Sequence, residues 1–197
     1  MTARARARAT YADLLSLPPN VVGEIIDGEL YAWPRPRGTH GDAASVIGMF
    51  VGPPYRIGRG GPGGWWIVDE PEVHFVRDKV VAVPDIGGWR RERMPEVPKD
   101  HRFTVSPDWV CEVLSPSTQR HDRGKKMRLY AEYEVSWMWL VDPDARTVEV
   151  LQLSGEHWTV LHVFTGNDKV VAEPFPAAEV DLTAIWGPTD DSPLPPP

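Results

Sequence analysis

Trp109-Val110-Cys111-Glu112-Val113-Leu114, a helical stretch over 122–134, and Trp137-Met138-Trp139-Leu140-Val141 decide how this chain folds. In a strand, successive side chains point to opposite faces, so Glu112 shares one face with Val110 and Leu114, while Cys111 lies with Trp109 and Val113. The last run is apolar at every position, the mark of a central strand covered on both faces. Strand, helix and strand in that order predict a right-handed parallel crossover.

The flanking sequence supplies the rest. Thr10 with Asp13 has the spacing of a capping box and predicts a helix reaching residue 17, where Pro18 and Pro19 stop it. Residues 21–26 and 29–33 flank Asp27-Gly28, a strong hairpin signal. Thr39 caps a second helix that carries Ala43, Ala44, Val46, Ile47 and Phe50 on one face. The Gly- and Pro-rich stretch 52–64 reads as a surface loop without regular structure. Strands are expected at 65–68, 72–76 and 80–85, and 87–106 reads as a long polar, proline-rich loop of the kind that is functional or mobile. Residues 147–153 and 158–164 form an antiparallel pair across Ser154-Gly155-Glu156, with a last strand near 169–172. The expected fold class is therefore α/β (α+β), a mixed β-sheet flanked by helices with added antiparallel strands on the C-terminal side. One domain spans 10–187, between a basic arm at 1–9 carrying Arg4, Arg6 and Arg8 and a proline-rich tail at 188–197.

Composition narrows the function. A net charge of −7 over 197 residues argues against a protein that coats nucleic acid by bulk electrostatics, because such binding comes from clustered Lys and Arg. With Cys111 the single cysteine, no disulfide can form within the chain, which fits a reducing, cytoplasmic setting. No apolar run approaches the ~20 residues of a membrane span, so no membrane partner is expected.

Against this background three charges stand in apolar surroundings: Asp85 after Val80-Val81-Ala82-Val83-Pro84, Glu112 in its strand, and Lys126. Burying a charge is expensive unless it is paired or holds a metal. Two acids ending two apolar strands read as a divalent-metal site, and the alternative is that each caps a strand end or pairs with an arginine. Lys126 shares a helix face with Leu129, Tyr130 and Tyr133 and points toward the sheet, whereas Lys125 falls with Arg128 and Glu132 on a solvated stripe. Pairing with Asp122 at i,i+4 is the plainer role for Lys126. Over a metal site, its ammonium can instead orient a water or neutralise a phosphoryl transition state. The hydroxyls of Ser115, Ser117 and Thr118 and the charges of Arg120 and Arg123 are expected beside that site, in contact with phosphate.

Several of these segments are also familiar together. Glu24-Ile25-Ile26-Asp27-Gly28-Glu29-Leu30, His40, Pro84-Asp85, the run from Pro107 through Glu112-Val113-Leu114-Ser115-Pro116-Ser117-Thr118, Asp122-Arg123-Gly124-Lys125-Lys126, Tyr130 and Trp139-Leu140-Val141-Asp142-Pro143 resemble the Uma family of putative restriction endonucleases, within the PD-(D/E)XK nuclease superfamily. The similarity runs from about residue 11 to 153. It implies a restriction-endonuclease-like fold with Asp85 and Glu112 as metal ligands, catalytic together with Lys126. Mg²⁺ is the implied cofactor, with Mn²⁺ able to substitute. The implied substrate is DNA, and many nucleases of the superfamily are homodimers.

The superfamily pattern would place lysine two residues after Glu112, where this chain has Leu114. The resemblance moves that lysine to the following helix, at the Lys126 that the face argument had reached independently. Glu24 matches a family acid and is an additional ligand or water-orienting candidate, against the reading of an ordinary surface acid. His40 is a candidate for substrate contact, against that of a capping or exposed histidine. The chain departs from its relatives at Met138, commonly aromatic, and in the glycine-rich 52–64 segment. The expected activity is that of a Mg²⁺-dependent DNA endonuclease in which a metal-activated water attacks the phosphodiester. The alternative is a catalytically inactive nuclease-fold module that binds DNA or protein.

Overall fold

The structure, a computed structural model, describes residues 8–34 and 38–187. The arm's first seven residues and the tail at 188–197 thus lie outside the described residues. Ala9, at the arm's end, already belongs to the fold, its N–H donating to the Gly28 carbonyl at 2.8 Å.

Helix α1 (Tyr11–Leu15) opens on the expected box, with Thr10 N–H donating to Asp13 Oδ2 at 2.8 Å and Thr10 Oγ1 accepting from the Asp13 N–H. Strands β1 (Val21–Ile26) and β2 (Glu29–Pro34) pair antiparallel through Asp27 and Gly28. Both turn residues have positive φ, 56° and 76°, as a two-residue hairpin turn demands. Helix α2 (Gly38–Val51) buries Ala43, Val46 and Ile47. It runs on into a π-helical turn at Gly52–Ile57 that buries Pro54 and Tyr55, where no regular structure was expected. Pro53 sits in the first turn of that segment, where its missing N–H disturbs helical bonding least.

Next come β3 (Trp65–Asp69), β4 (Glu72–Val76), β5 (Val80–Ala82), β6 (Ile86–Arg90), β7 (Arg102–Phe103) and β8 (Trp109–Val113). A helical stretch is built from α3 (Gln119–His121), a π-helical segment (Asp122–Lys126) and α4 (Met127–Glu132). The chain finishes with β9 (Trp137–Asp142), β10 (Thr147–Ser154), β11 (His157–Thr165), β12 (Lys169–Val170), β13 (Val180–Asp181) and α5 (Thr183–Trp186). Two larger sheets result, ordered β2-β1-β5-β4-β7 and β11-β10-β9-β8-β6-β3, with β12 and β13 as a separate pair.

Strand β8 is central to the second sheet, parallel to β9 and antiparallel to β6. Its faces divide as the alternation predicts. Trp109, Cys111 and Val113 join Trp139, Val141 and Phe175 in the largest core cluster. On the other face, Val110 and Leu114 pack with Tyr130, Met138 and Leu140. Met138 is fully buried in that second cluster.

Two expectations are corrected here. The stretch 87–106 is not one long loop, because Ile86–Arg90 is a strand between β3 and β8. Its adjacent glycines hide the strand in the sequence, yet the packing requires them. A Cβ on Gly87 would lie 2.6 Å from the Trp89 ring, and one on Gly88 would lie 2.9 Å from that of Trp109. Moreover, the strand expected at 80–85 stops at Ala82. Val83-Pro84-Asp85 instead carries the chain from the first sheet to the second, leaving Asp85 immediately before β6.

Candidate active site

The crossing from β5 to β6 brings the two sheets together around one cleft of about 550 Å³. Asp85 enters it from the crossing segment, Glu112 from β8, Glu24 from β1 and Lys126 from the end of the π-helical segment. Backbone geometry locks Asp85 to its neighbour: its Oδ2 accepts the Val113 N–H at 2.6 Å, one residue beyond Glu112. His40, from the first turns of α2, lies against the same oxygen, Nε2 to Oδ2 3.4 Å. Burial opposes a charge on that imidazole, but Asp85 more than offsets it and raises the histidine's pKa above its ordinary value.

Lys126 is held from several directions. Its ammonium donates to the Val83 carbonyl at 3.0 Å and lies 2.8 and 2.9 Å from the two oxygens of Glu112. It also lies 3.1 Å from Glu24 Oε1 and 4.0 Å from Asp122 Oδ1. Burial works against its charge, yet Glu112 and Glu24 carry the ammonium's pKa well above normal. Burial also opposes a charge on Glu112, and the adjacent Lys126 ammonium works against that cost, while Tyr130 donates its hydroxyl to Glu112 Oε1. The pKa of Asp122 is raised, mainly by burial. The pairing of Lys126 with Asp122 is thus real but the longest of its contacts. Lys125, by contrast, reaches out to the hairpin turn, 3.5 Å from both Asp27 and Glu29, with its ammonium over the Tyr31 ring. It is half-buried against that turn rather than on an open stripe.

Glu24 is no surface acid. It is 2 % exposed, accepts the Val83 N–H at 2.9 Å and pairs through Oε2 with His121 Nε2 at 2.9 Å. Burial would raise its pKa, but Lys126 and His121 together hold it below the ordinary 4.5. Such a carboxylate contributes stability that is present above pH 4.5 and is lost as the pH falls through its lower folded value. Glu24→Gln should therefore destabilise the protein by about 3 kcal/mol near neutrality, the low end for breaking a buried ion pair. In urea titrations at a series of pH values, the gap between wild type and variant should close in acid. A gap that stays constant down to pH ~3 would show that Glu24 acts by shape alone.

His121 went unnoticed in the sequence because a regular α-helix would turn it away from Lys126. Across the π-helical segment, where bonding runs i→i+5, His121 and Lys126 come onto one side and both reach Glu24.

The 115–118 loop is where it was expected. Ser115 Oγ lies 3.0 Å from Ser117 Oγ and 2.9 Å from Thr118 Oγ1, and all three residues line the cleft. The loop's arginines are not. Arg123 forms a two-pronged ion pair with Glu149 on β10, and neither it nor the exposed Arg120 lines the cleft. Among the described residues, no helix is long and apolar enough to cross a membrane.

Two mixed sheets flanked by helices, with acids and a lysine where the chain crosses between them, place this protein among the nuclease-like folds. It is similar to the crystal structure of a putative nuclease belonging to DUF820 from Anabaena variabilis ATCC 29413, with 23% sequence identity and a TM-score of 0.71. The likeness covers 90% of this chain and 97% of that one. At this identity it establishes the shared fold. The family model of Uma2, described as a putative restriction endonuclease, matches residues 9–184, and the chain belongs to that family. No curated protein matches it.

Proposed function

We propose that the protein is a Mg²⁺-dependent endonuclease that hydrolyses DNA phosphodiester bonds in the cleft between its two sheets. The charge of that cleft carries the reading. Among the described residues, Glu24, Glu70, Asp85, Glu112, Asp122 and Asp144 line it against Lys126 and His40 alone. A phosphodiester cannot approach so acidic a wall unless cations intervene. Hard oxygen donors suit Mg²⁺, which is commonly held by one or two carboxylates while water and substrate phosphate complete the shell. No three His, Cys, Asp or Glu side chains among the described residues form a ready-made cage. The donor pair that fits is Asp85 with Glu112, and Mn²⁺ would suit it equally. When bound, the metal supplies Lewis acidity toward the phosphate and lowers the pKa of a coordinated water.

The chain's own residues do the rest. The Val113 N–H and His40 fix the orientation of Asp85 through Oδ2. Lys126 holds Glu112 in place and sets a positive charge beside the reacting phosphate, where transition-state charge accumulates. Ser115, Ser117 and Thr118 offer hydroxyls to the non-bridging oxygens. A homodimer would present two such clefts, one to each strand of a duplex.

A second reading, an inactive module, draws on the bonds that Lys126 and Tyr130 already make to Glu112. One experiment separates the two. Purified protein is incubated with plasmid, single-stranded DNA and RNA in Mg²⁺, Mn²⁺ or EDTA. The expected result is DNA cut only when a divalent metal is present. Intact DNA in every metal would favour the module, and cutting in EDTA would reject the metal site.

A further inference from the structure

Among the described residues the cleft lining is mostly acidic, and Arg123, expected to contact phosphate, is paired with Glu149. A different region offers what is missing. Arg56 and Arg59 on the π-helical turn and its following loop, with Arg90, Arg91 and Arg93 at the end of β6, are all exposed. Arg56, Arg90 and Arg91 gather at one end of the β3–β6 pair. The Arg91 guanidinium lies 4.1 Å from the centre of the Trp66 ring and that of Arg56 lies 5.5 Å from it, while Arg90 stands 5.2 Å over Trp65. The Trp66 indole is itself pinned, its Nε1–H donating to the Met94 carbonyl at 2.9 Å.

What the guanidinia bond to matters as much as where they lie. Arg91 donates to the carbonyls of Trp65 and Arg56, and Arg56 to that of Ile67. Carbonyls orient a guanidinium without cancelling its charge. Two acids do face this group: Glu92 is 3.9 Å from Arg90, and Asp108 takes Arg93 at 2.9 Å. Arg56, Arg59 and Arg91 have no carboxylate within salt-bridge reach among the described residues. On a chain of net charge −7, these guanidinia make one end of the β3–β6 pair locally positive, with Arg90 on the Trp65 side of the sheet and Arg56 and Arg91 on the Trp66 side.

We propose that this arginine cluster at the end of the β3–β6 pair binds the phosphodiester backbone of duplex DNA that runs on from the cleft, an inference that rests on the nuclease reading above. Pairing fixes the geometry. Asp69 faces Ile86, next to Asp85, at one end of the β3–β6 ladder, and Trp65 faces Arg90 at the other. Asp85 and Arg90 are five residue steps apart, about 17 Å of extended chain at ~3.4 Å each, or about five base-pair steps of duplex. Strand β3 is the outer strand of its sheet, and the π-helical turn packs along its edge with Arg56 donating to the Ile67 carbonyl, so DNA would pass over these arginines rather than along the strand itself. Guanidinia already held flat on a tryptophan lose little freedom when they take up phosphate oxygens, and their forks match those oxygens.

The test is the salt dependence of binding. Fluorescence anisotropy in EDTA, with a labelled duplex of ~30 base pairs, gives log K against log salt for the full chain. Each phosphate contact contributes ~0.9 to that slope. The triple variant Arg59→Ala/Arg90→Ala/Arg91→Ala should flatten the slope by about 2.7 and weaken binding at least ~10-fold near 0.15 M salt. Because Arg91 also anchors backbone carbonyls, Arg59→Glu/Arg90→Glu serves as a second variant, and it should also weaken binding while melting like wild type. Slopes unchanged in both variants overturn the proposal, as does a wild type with no measurable affinity. Cleavage is read separately. A protein that cuts DNA while ignoring these arginines keeps the nuclease reading and loses the cluster. One that binds through them yet never cuts in Mn²⁺ keeps the cluster and loses the nuclease reading.

Discussion

Lys126→Ala should abolish detectable cleavage, a loss of at least ~100-fold from the removed transition-state charge, and should also destabilise the fold by about 3–5 kcal/mol. The second effect follows from burial. Lys126 is 4 % exposed and its ammonium is the counter-charge for Glu112 and Glu24, so the variant strands two buried carboxylates. Rate and stability can be separated with Lys126→Ala/Glu112→Gln, which removes one of the stranded charges. Chemical denaturation should show part of the stability restored, while plasmid cleavage remains absent. Lys125→Ala, which cuts only the partly exposed contacts with Asp27, Glu29 and the Tyr31 ring, should change cleavage and stability little. If Lys125→Ala and Lys126→Ala cleave at equal rates, Lys126 has no part in the chemistry and serves only to neutralise the buried acids.

How far the sequence led to this arrangement depended on whether local pattern and tertiary packing agreed. At the 109–141 strand–helix–strand unit they agreed, because side-chain alternation and unbroken apolar runs are direct consequences of which faces are covered. The hairpin at Asp27-Gly28 was legible for a similar reason, its turn chemistry being local. Strand β6 was not, since glycine and proline punctuation usually marks loops and here records two tryptophan rings closing over a backbone. In the same way the end of β5 was overrun, because Val83 looks like more strand and nothing local says that the chain leaves one sheet for another.

The site shows the same division. Glu112 and Lys126 were placed on the correct faces by periodicity alone, and the structure brings them within 2.9 Å. Asp85 came from its apolar context, although the crossing segment, and not a strand end, delivers it. The burial of Glu24 and the role of His121 lay beyond local reasoning, because each depends on the other across 97 residues and on a helical segment with the wrong period for an α-helix. Arg123 turns to Glu149 and away from the cleft lining, which local sequence could not show, since Glu149 sits on a strand whose position relative to that loop is set only by the sheet order.

Asp85→Asn is expected to have the largest effect on catalysis with the least effect on structure. Asparagine keeps an oxygen to accept the Val113 N–H, now held at 2.6 Å, and keeps the volume of the side chain at the crossing between the sheets. It removes the negative charge that a hard cation requires. His40 loses the partner that raises its pKa, and the imidazole should titrate at a lower pH in the variant, a change visible by NMR. Losing several kcal/mol of metal-supplied stabilisation, taken as about 4, corresponds to about 10³-fold in rate at 1.36 kcal/mol per tenfold. Calorimetric titration with Mn²⁺ should show binding to wild type and none to Asp85→Asn, with thermal melting nearly unchanged between them in EDTA. Binding of Mn²⁺ with equal affinity to both proteins would remove Asp85 from the ligand set. The cleft's other acids, Glu24, Glu70, Glu112, Asp122 and Asp144, would then have to be tested in turn for the site that lets a phosphate in.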